Sequence, residues 1–278
     1  MTPDEIRRRF AQRPWLAVTQ AEMRPSLAVP SMLCAEESQL YHWIGQTAAG
    51  FGATVDLGAF AGGSAARLLQ GLQSGGKPHH LHAYDRFTAN AAARQRHLSP
   101  GGVALTDQDD ILPLVRRHLA PWQDHLTLHP GDIATQTWSG GAVEVLAVDA
   151  GKTPILADHI AAQFFPALVP GRSLVIQQDF LHASQPWLAV QMQALAACFV
   201  PLALVARDCV VFLCTAPVTA KALLGAKTTG LDDDALIAAV GLAQHSYAPM
   251  LPSRRFAAMA DKIRANPGIR VAWQMRKG

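Results

Sequence analysis

The stretch TVDLGAFAGGS, residues 54–64, carries the strongest structural signal in the chain. It runs from a short apolar strand through an Asp-x-Gly-x-x-x-Gly sequence into a helix that we predict to open at Ser64. Glycine permits a left-handed backbone and a close approach to a ligand, and a helix start supplies N–H groups without partners. The stretch therefore predicts a strand, a tight turn and a helix that together bind a small molecule.

Phe60 narrows the kind of ligand that this turn accepts. In a dinucleotide-binding turn, the second glycine of G-x-G-x-x-G leaves room for a pyrophosphate. Here Phe60 stands two residues after Gly58, which disfavours a pyrophosphate and favours a ligand without phosphates. Asp56 ends the strand with a carboxylate, which suits a cationic amine. A glycine-rich turn without any ligand is the alternative.

Acidic residues follow the next two predicted strands as well. Asp85 ends the second strand, where a carboxylate can accept hydrogen bonds from both hydroxyls of a ribose. Asp132 and Ile133 follow the third strand, where a side chain can meet the amino group of an adenine. The alternatives are a solvated acid at Asp85 and ordinary Gly-Asp turn chemistry at Gly131-Asp132.

Apolar β-type runs alternate with helical patterns along most of the chain. The predicted strands are Thr54–Leu57, Leu81–Tyr84, Leu126–His129, Val143–Val148, Ser173–Ile176, Leu202–Val205 and Val210–Cys214. The main predicted helices are Glu36–Trp43, Ser64–Gln73, Ile111–Leu119, Ile155–Leu168, Pro186–Phe199, Leu231–Ala243 and Arg254–Ala265. Parallel strands need crossover helices, so this alternation predicts a doubly wound, mostly parallel α/β sheet. The last two strands are close enough in sequence to pair antiparallel.

Residues 1–50, 86–125 and 217–278 lie outside that alternation. We therefore predict an N-terminal helical segment over residues 1–50, a ligand-binding domain over 51–216 and a helical C-terminal extension over 217–278. Residues 86–125 form a long βα connection with an acidic cluster at 107–110, and we expect a lid there.

Composition and charge exclude several classes of protein. Half of the 278 residues are apolar and 16% are charged, with a formal net charge of +3, which argues against disorder. The basic run Arg7–Arg9 follows two acids and indicates a solvated helix face rather than a nucleic-acid contact. The longest apolar stretch, Ala194–Ala206, is too short to span a membrane. With no visible signal peptide and four cysteines expected as free thiols, we predict a cytoplasmic protein.

The ordered motifs resemble those of class I S-adenosylmethionine-dependent methyltransferases. The matching segments are Val55–Ser64, Tyr84-Asp85, Gly131–Ile133 and Val145–Asp149, within a resemblance that covers about residues 36–215. The resemblance implies the seven-stranded, Rossmann-like methyltransferase fold, with the glycine turn under the methionine part of the cofactor and the acid of the second strand on its ribose. The implied cofactor-binding residues are Asp56, Gly58, Phe60, Gly62, Gly63, Ser64, Asp85, Asp132 and Ile133.

Candidate catalytic residues follow the fourth and fifth strands. Open α/β sheets bind ligands at the carboxyl ends of their strands, where Asp149, Lys152, Asp179 and His182 are expected to converge. Methyl transfer needs an in-line approach and a means of holding the acceptor oxygen as an alkoxide or close to it. Two carboxylates can do this through a divalent cation, or one carboxylate or His182 can act as a general base.

Parts of this region are similar to the macrocin-type sugar O-methyltransferases. The similar stretches are Val148–Gly151 and a later one that runs from Pro170–Arg172 through Gln178–Phe180. The resemblance implies a magnesium ion held by Asp149, Gln178 and Asp179. The chain departs from that pattern in having glutamine as the first residue of an acidic pair and in having Lys152 near Asp149, where it can neutralise a carboxylate.

Two further pairs of side chains could have either a structural or a functional role. His80 and His82 lie within a strand, where packing is favoured over metal binding. Trp138 and Trp187 are expected either in an acceptor pocket or in the core, which is the commoner place for tryptophan.

The leading functional hypothesis is O-methylation of a small hydroxylated molecule such as a sugar or glycoside. N-methylation or carboxyl methylation is the nearest alternative. A protein that binds S-adenosylmethionine without catalysis is another, and a nicotinamide-dependent oxidoreductase is disfavoured by Phe60. We expect no nucleic-acid partner, and apolar terminal helices favour a homodimer.

Overall fold

The computed structural model describes residues 2–98 and 110–276. Part of the predicted lid, including Ser99–Gly102 and the acids Asp107 and Asp109, lies outside these residues. The rest of residues 86–125 contains two short helices and a 3-10 turn before the third strand.

The secondary structure follows the predicted alternation of strands and helices. The strands are β1 Ala53–Leu57, β2 Leu81–Asp85, β3 Leu126–Pro130, β4 Val143–Val148, β5 Leu174–Gln177, β6 Phe199–Val205 and β7 Cys209–Cys214. The helices are α1 Pro3–Ala11, α2 Gln20–Leu27, α3 Ala35–Thr47, α4 Gly63–Gly75, α5 Ala91–His97, α6 Leu112–Leu119, α7 Pro154–Phe164, α8 Pro186–Ala194, α9 Ala220–Gly225, α10 Asp233–Tyr247 and α11 Ser253–Ala265.

The strands form a seven-stranded sheet in the order β3-β2-β1-β4-β5-β7-β6. Strands β1, β2 and β3 pair in parallel, as do β4 and β5, whereas β7 is antiparallel to both β5 and β6. The predicted α/β fold with a mostly parallel sheet and an antiparallel final pair is therefore confirmed.

By its internal contacts the chain divides into two compact units, residues 12–136 and residues 1–11 with 137–278. In the first unit, α3 packs closely on α4 because glycines face backbone across the helix pair. A Cβ atom on Gly71 would lie 2.0 Å from the carbonyl oxygen of His42, and one on Gly45 would lie 2.4 Å from that of Leu68. Any larger residue at either position would push the helices apart.

In the second unit, the C-terminal helices α10 and α11 pack against α8. An aromatic cluster of Phe180, Phe212, Tyr247 and Phe256 joins the sheet to these helices, with ring centroids 5.0 to 6.3 Å apart. The predicted C-terminal extension is thus part of the core of this unit. The division into segments 1–50, 51–216 and 217–278 remains a prediction.

Two predicted helices are shorter than expected. The one predicted over Ile155–Leu168 is an α-helix only to Phe164 and continues as a 3-10 turn to Ala167. The apolar run from Pro186 predicts a helix to Phe199, but α8 ends at Ala194 and Phe199 begins β6. A mostly apolar run has little helical period to mark its end, and pairing of β6 with β7 places the residues from Phe199 onward in the sheet.

Two predictions about the chain as a whole can be compared with the structure. Within residues 2–98 and 110–276, no helix is long and apolar enough to cross a membrane. All four cysteines are free thiols, and Cys198, Cys209 and Cys214 are buried as predicted.

Candidate functional site

The glycine turn of the first unit has a left-handed backbone at alternate positions. Gly58, Phe60 and Gly62 have φ values of 96°, 46° and 88°. A left-handed conformation costs a residue with a side chain roughly 1–2 kcal/mol, so Phe60 must be held there by its surroundings. The turn combines the tight path that the glycines permit with one strained aromatic residue.

Hydrogen bonds to the end of β2 hold this turn in place. The amide of Gly58 donates to the carbonyl oxygen of Tyr84 at 2.8 Å, and the amide of Phe60 donates to Asp85 Oδ2 at 3.0 Å. The other carboxylate oxygen of Asp85 accepts from the amide of Phe87 at 2.7 Å. Burial raises the pKa of Asp85 above its ordinary value, against the lowering effect of both amides. Asp85 thus fixes the turn and also sits where a ribose acid is predicted.

Asp56 closes the turn from within. Its side chain is almost fully buried, and its Oδ2 accepts from the Ser64 hydroxyl at 2.7 Å. This contact joins the end of β1 to the first turn of α4, so both residues shape the loop. The predicted contact of Asp56 with a cationic amine stays a prediction.

Packing explains one of the turn's glycines. A Cβ atom on Gly63 would lie 2.4 Å from the carbonyl oxygen of Pro30, in the segment that follows α2. The buried Arg67 holds the same segment, because its Nη1 donates to the carbonyl oxygens of Ser26, Val29 and Gly63 at 2.8 to 3.0 Å. Burial lowers the pKa of Arg67 to about 10. Nothing in the sequence singled out Arg67, because two of its three acceptors, the carbonyl oxygens of Ser26 and Val29, lie about forty residues earlier in the chain.

The predicted adenine residues follow β3. Asp132 caps a short 3-10 turn, since its Oδ1 accepts from the amide of Ala134 at 3.0 Å, and its Oδ2 pairs with Arg86 at 2.5 Å. Ile133 is buried, and the Asp132 side chain is half-exposed. These contacts show how the loop is built, and the role in adenine binding stays a prediction.

These residues of the first unit suit a nucleoside without phosphates. Each Asp85 oxygen accepts one amide and has a further lone pair, so the carboxylate can also accept from hydroxyl groups of a ligand. Phe60 stands at the sequence position where a pyrophosphate-binding turn has its second glycine, and its effect on the choice of ligand stays a prediction.

The H-x-H pair lies at the start of β2, and both of its side chains contact residues of β3. His82 Nδ1 lies 2.9 Å from His129 Nε2 on β3, and His80 Nε2 lies 2.8 Å from Thr127 Oγ1. Burial, together with the neighbouring imidazoles, lowers the pKa of His82 to about 4. His82 is a packed strand residue, as preferred, whereas the prediction that His80 also lies within the strand is wrong, because β2 begins at Leu81.

A cluster of charged side chains lies at the C-terminal ends of β4 and β5 in the second unit. Lys152 Nζ donates to Asp149 Oδ1 at 2.6 Å and also to Asp179 Oδ2. Burial alone would lower the pKa of Lys152, but the two carboxylates outweigh it and raise the pKa above its ordinary value. Burial likewise opposes the effect of Lys152 on Asp179, whose pKa is lowered. Lys152 is therefore a cation held between two carboxylates.

Neighbouring residues complete the surroundings of this cluster. Gln185 Nε2 donates to Asp179 Oδ2 at 2.6 Å, a contact that no sequence pattern indicated. Gln178 is largely buried, whereas His182 is exposed and accepts from the amide of Ser184 through Nδ1 at 3.3 Å. The structure brings Asp149, Lys152 and Asp179 together and places His182 in the following turn.

The C-terminal extension holds the loop that carries Lys152. The amide of Ala272 donates to the carbonyl oxygen of Lys152 at 3.0 Å, and Trp187 Nε1 donates to that of Gly151 at 2.7 Å. Trp187 is fully buried beside Met275, so it is a core residue rather than the lining of a pocket. The extension thus fixes the backbone next to the charged cluster.

The cluster does not suit the magnesium ion that the resemblance implies. The carboxylate oxygens that would face a metal from Asp149 and Asp179 already accept from the Lys152 ammonium. Gln178 offers no charge to compensate. In the part of the chain that the structure describes, no group of three or more histidine, cysteine or acidic side chains has the geometry of a metal site.

No family model matches the chain, and no curated protein matches it. Among solved structures, the O-methyltransferase NovP is 18% identical, with a TM-score of 0.48 over 65% of this chain and 78% of NovP. The S-adenosylhomocysteine-bound methyltransferase PaMTH1 of Podospora anserina is 12% identical, with a TM-score of 0.46 over 77% of this chain and 87% of PaMTH1. At such identities and TM-scores, these similarities support no conclusion about the function of this chain.

Proposed function

We propose that the protein is an S-adenosylmethionine-dependent methyltransferase that methylates a hydroxyl oxygen of a small molecule. The observation that carries the proposal is the turn of the first unit, where Phe60 is held in a left-handed conformation by the Asp85 carboxylate. Such a turn disfavours a pyrophosphate, and Asp85 could serve as a ribose acid; together these features support a nucleoside with a sulfonium side chain.

The proposed reaction makes modest chemical demands on the protein. When bound, S-adenosylmethionine would supply an activated methyl group, and a hydroxyl acceptor would have to lose its proton to take up that group. The protein must orient the acceptor, exclude water and receive that proton. We assign these tasks to Asp149, Asp179 and His182, with Lys152 setting the charge of the two carboxylates.

Calorimetry tests the choice of cofactor. The protein is titrated with S-adenosylhomocysteine and, separately, with NADH. We expect one equivalent of S-adenosylhomocysteine to bind and NADH not to bind, because Phe60 obstructs a pyrophosphate. Tight binding of NADH would instead favour an oxidoreductase, and binding of neither compound would remove the basis of the proposal.

Transfer of a labelled methyl group tests catalysis. Purified protein is incubated with S-adenosylmethionine and a panel of sugars, glycosides, phenols, amines and carboxylic acids. We expect product with hydroxyl acceptors and at least a hundredfold slower transfer after Asp149→Asn, with cofactor affinity retained. Labelled amines or esters alone would favour N-methylation or carboxyl methylation. Unchanged turnover in Asp149→Asn would refute its assignment as a catalytic residue.

The location and the assembly of the protein belong to the proposal too. Four free cysteines are consistent with a cytoplasmic enzyme. We further propose a homodimer; light scattering of the purified chain at micromolar concentration distinguishes a dimer from a monomer of 29.8 kDa.

A further inference from the structure

In the second unit, Asp149 and Asp179 follow the neighbouring parallel strands β4 and β5, and both accept a hydrogen bond from the Lys152 ammonium. We propose that the Lys152 ammonium takes the place of a divalent cation in this cluster, so that the protein has a built-in cation and binds a divalent metal there only when Lys152 is removed. The inference concerns cation binding, and it stands or fails independently of methyl transfer.

The positions of the oxygens make the two cations mutually exclusive. Lys152 Nζ lies 2.6 Å from Asp149 Oδ1 and is also hydrogen-bonded to Asp179 Oδ2. A magnesium ion bound by the same two oxygens would stand about 2.0–2.1 Å from each of them. An ion that approached these oxygens from the side of Lys152 would compete with Nζ for the same space, and the repulsion of like charges would disfavour binding of both.

A second donor strengthens the preference for the lysine. Gln185 is almost fully buried, and its Nε2 donates to the same oxygen of Asp179 at 2.6 Å. That oxygen therefore accepts from both the ammonium and the amide, which uses both of its lone pairs. A metal ion bound through this oxygen would have to displace one of these part-buried hydrogen bonds.

The lysine is fixed in the cluster through its own backbone. The amide of Lys152 donates to the carbonyl oxygen of Ala150 at 2.7 Å, and its carbonyl oxygen accepts from Ala272 at 3.0 Å. Its side chain is 31% exposed, so it is not a free surface lysine that could swing away at little cost. The ammonium is thus a preorganised part of the site.

Electron paramagnetic resonance of Mn2+ tests this proposal without any assay of activity. Wild type, Lys152→Ala, the double variant Lys152→Ala with Asp179→Asn, and the control Lys221→Ala at an exposed lysine are titrated with Mn2+. We expect no specific binding to wild type or to the control, and one equivalent bound to Lys152→Ala. In the double variant the affinity should fall at least tenfold, because one carboxylate ligand is lost.

Two results would overturn the proposal. One is binding of an equivalent of Mn2+ to wild type that Asp149→Asn abolishes; the other is a folded Lys152→Ala that does not bind Mn2+. Should Lys152→Ala fail to fold, Lys152→Met retains the apolar stem and is titrated in the same way. Mn2+ should raise the melting temperature of either variant and leave that of wild type unchanged.

Discussion

Replacing Asp85 with asparagine tests the part of the first unit that is assigned to the cofactor. The Asp85 carboxylate accepts from the amides of Phe60 and Phe87 at 3.0 and 2.7 Å, one on each oxygen. Asparagine has a single carbonyl oxygen and can satisfy only one of these amides. Its NH2 group would face the other amide, so that one hydrogen bond is lost and two donors meet.

The expected loss of stability is a balance of two effects. A hydrogen bond to a charged acceptor contributes roughly 1.5–3 kcal/mol, and one such bond is lost. The raised pKa of Asp85 shows that burial penalises the charge, so the neutral amide recovers part of that cost. We therefore expect Asp85→Asn to lower the free energy of unfolding by about 1–2 kcal/mol.

Ligand affinity should fall more than stability. Asp85 helps to hold Phe60 in its left-handed backbone conformation. If that hold is lost, ligand binding must restore this conformation at a cost of roughly 1–2 kcal/mol. Loss of the charged acceptor for ribose hydroxyls adds a similar amount, so the affinity for S-adenosylhomocysteine should fall by about thirtyfold to several hundredfold.

Urea unfolding at 25 °C and calorimetry with S-adenosylhomocysteine measure the two effects. Asp124→Asn, at an exposed acid in the same unit, is the matched control and should stay within about 0.5 kcal/mol of wild type. The reasoning is refuted if Asp85→Asn matches this control in both stability and affinity. If wild type does not bind the ligand, the stability arm still tests the role of Asp85 in the turn.

Three other changes have direct structural expectations. Gly63→Ala puts a Cβ atom 2.4 Å from a backbone carbonyl oxygen, so urea unfolding should show a loss of about 1–3 kcal/mol. Ala272→Pro removes the donor to the carbonyl oxygen of Lys152, and should cost about 1 kcal/mol in the same assay, with faster hydrogen exchange in the loop that carries Lys152. The pKa of His82 is lowered from 6.5 to about 4, so the unfolded chain binds this proton first as the pH falls. The free energy of unfolding should therefore be unaffected by this group above about pH 6.5 and decline by roughly 1–3 kcal/mol toward pH 4. His82→Asn cannot take up that proton, so its free energy of unfolding should decline less over the same pH range.

Local pattern was sufficient for most of the fold. Strand β4 was predicted with its observed bounds, Val143–Val148, because an apolar run between turn residues has few other interpretations. Helix α8 was predicted too long because the residues after Ala194 are as apolar as those before it. The choice between helix and strand there depends on pairing of β6 with β7, which no local window contains.

The glycine turn shows how one residue type can serve two purposes. The family resemblance implied that Gly63 binds the cofactor. The structure shows that the nearby carbonyl oxygen of Pro30 by itself already requires a glycine at that position. Arg67, which ties the same segment to α4, was missed because its acceptors are backbone atoms far away in the chain. Sequence spacing indicates a tight turn, but it does not tell which neighbour makes the turn tight.

For Lys152, too, sequence spacing did not identify all of the neighbouring side chains. Its spacing of three residues from Asp149 suggested that it could neutralise one carboxylate, yet Asp179 lies 27 residues further along the chain. Parallel pairing of β4 with β5 brings that second carboxylate to the same ammonium. A sequence with two acids and a lysine near one of them is compatible with two kinds of site: a metal site with a basic neighbour, or a lysine paired with two carboxylates and no metal. Only the direction of the lysine side chain separates these two, and the side chain points between the acids.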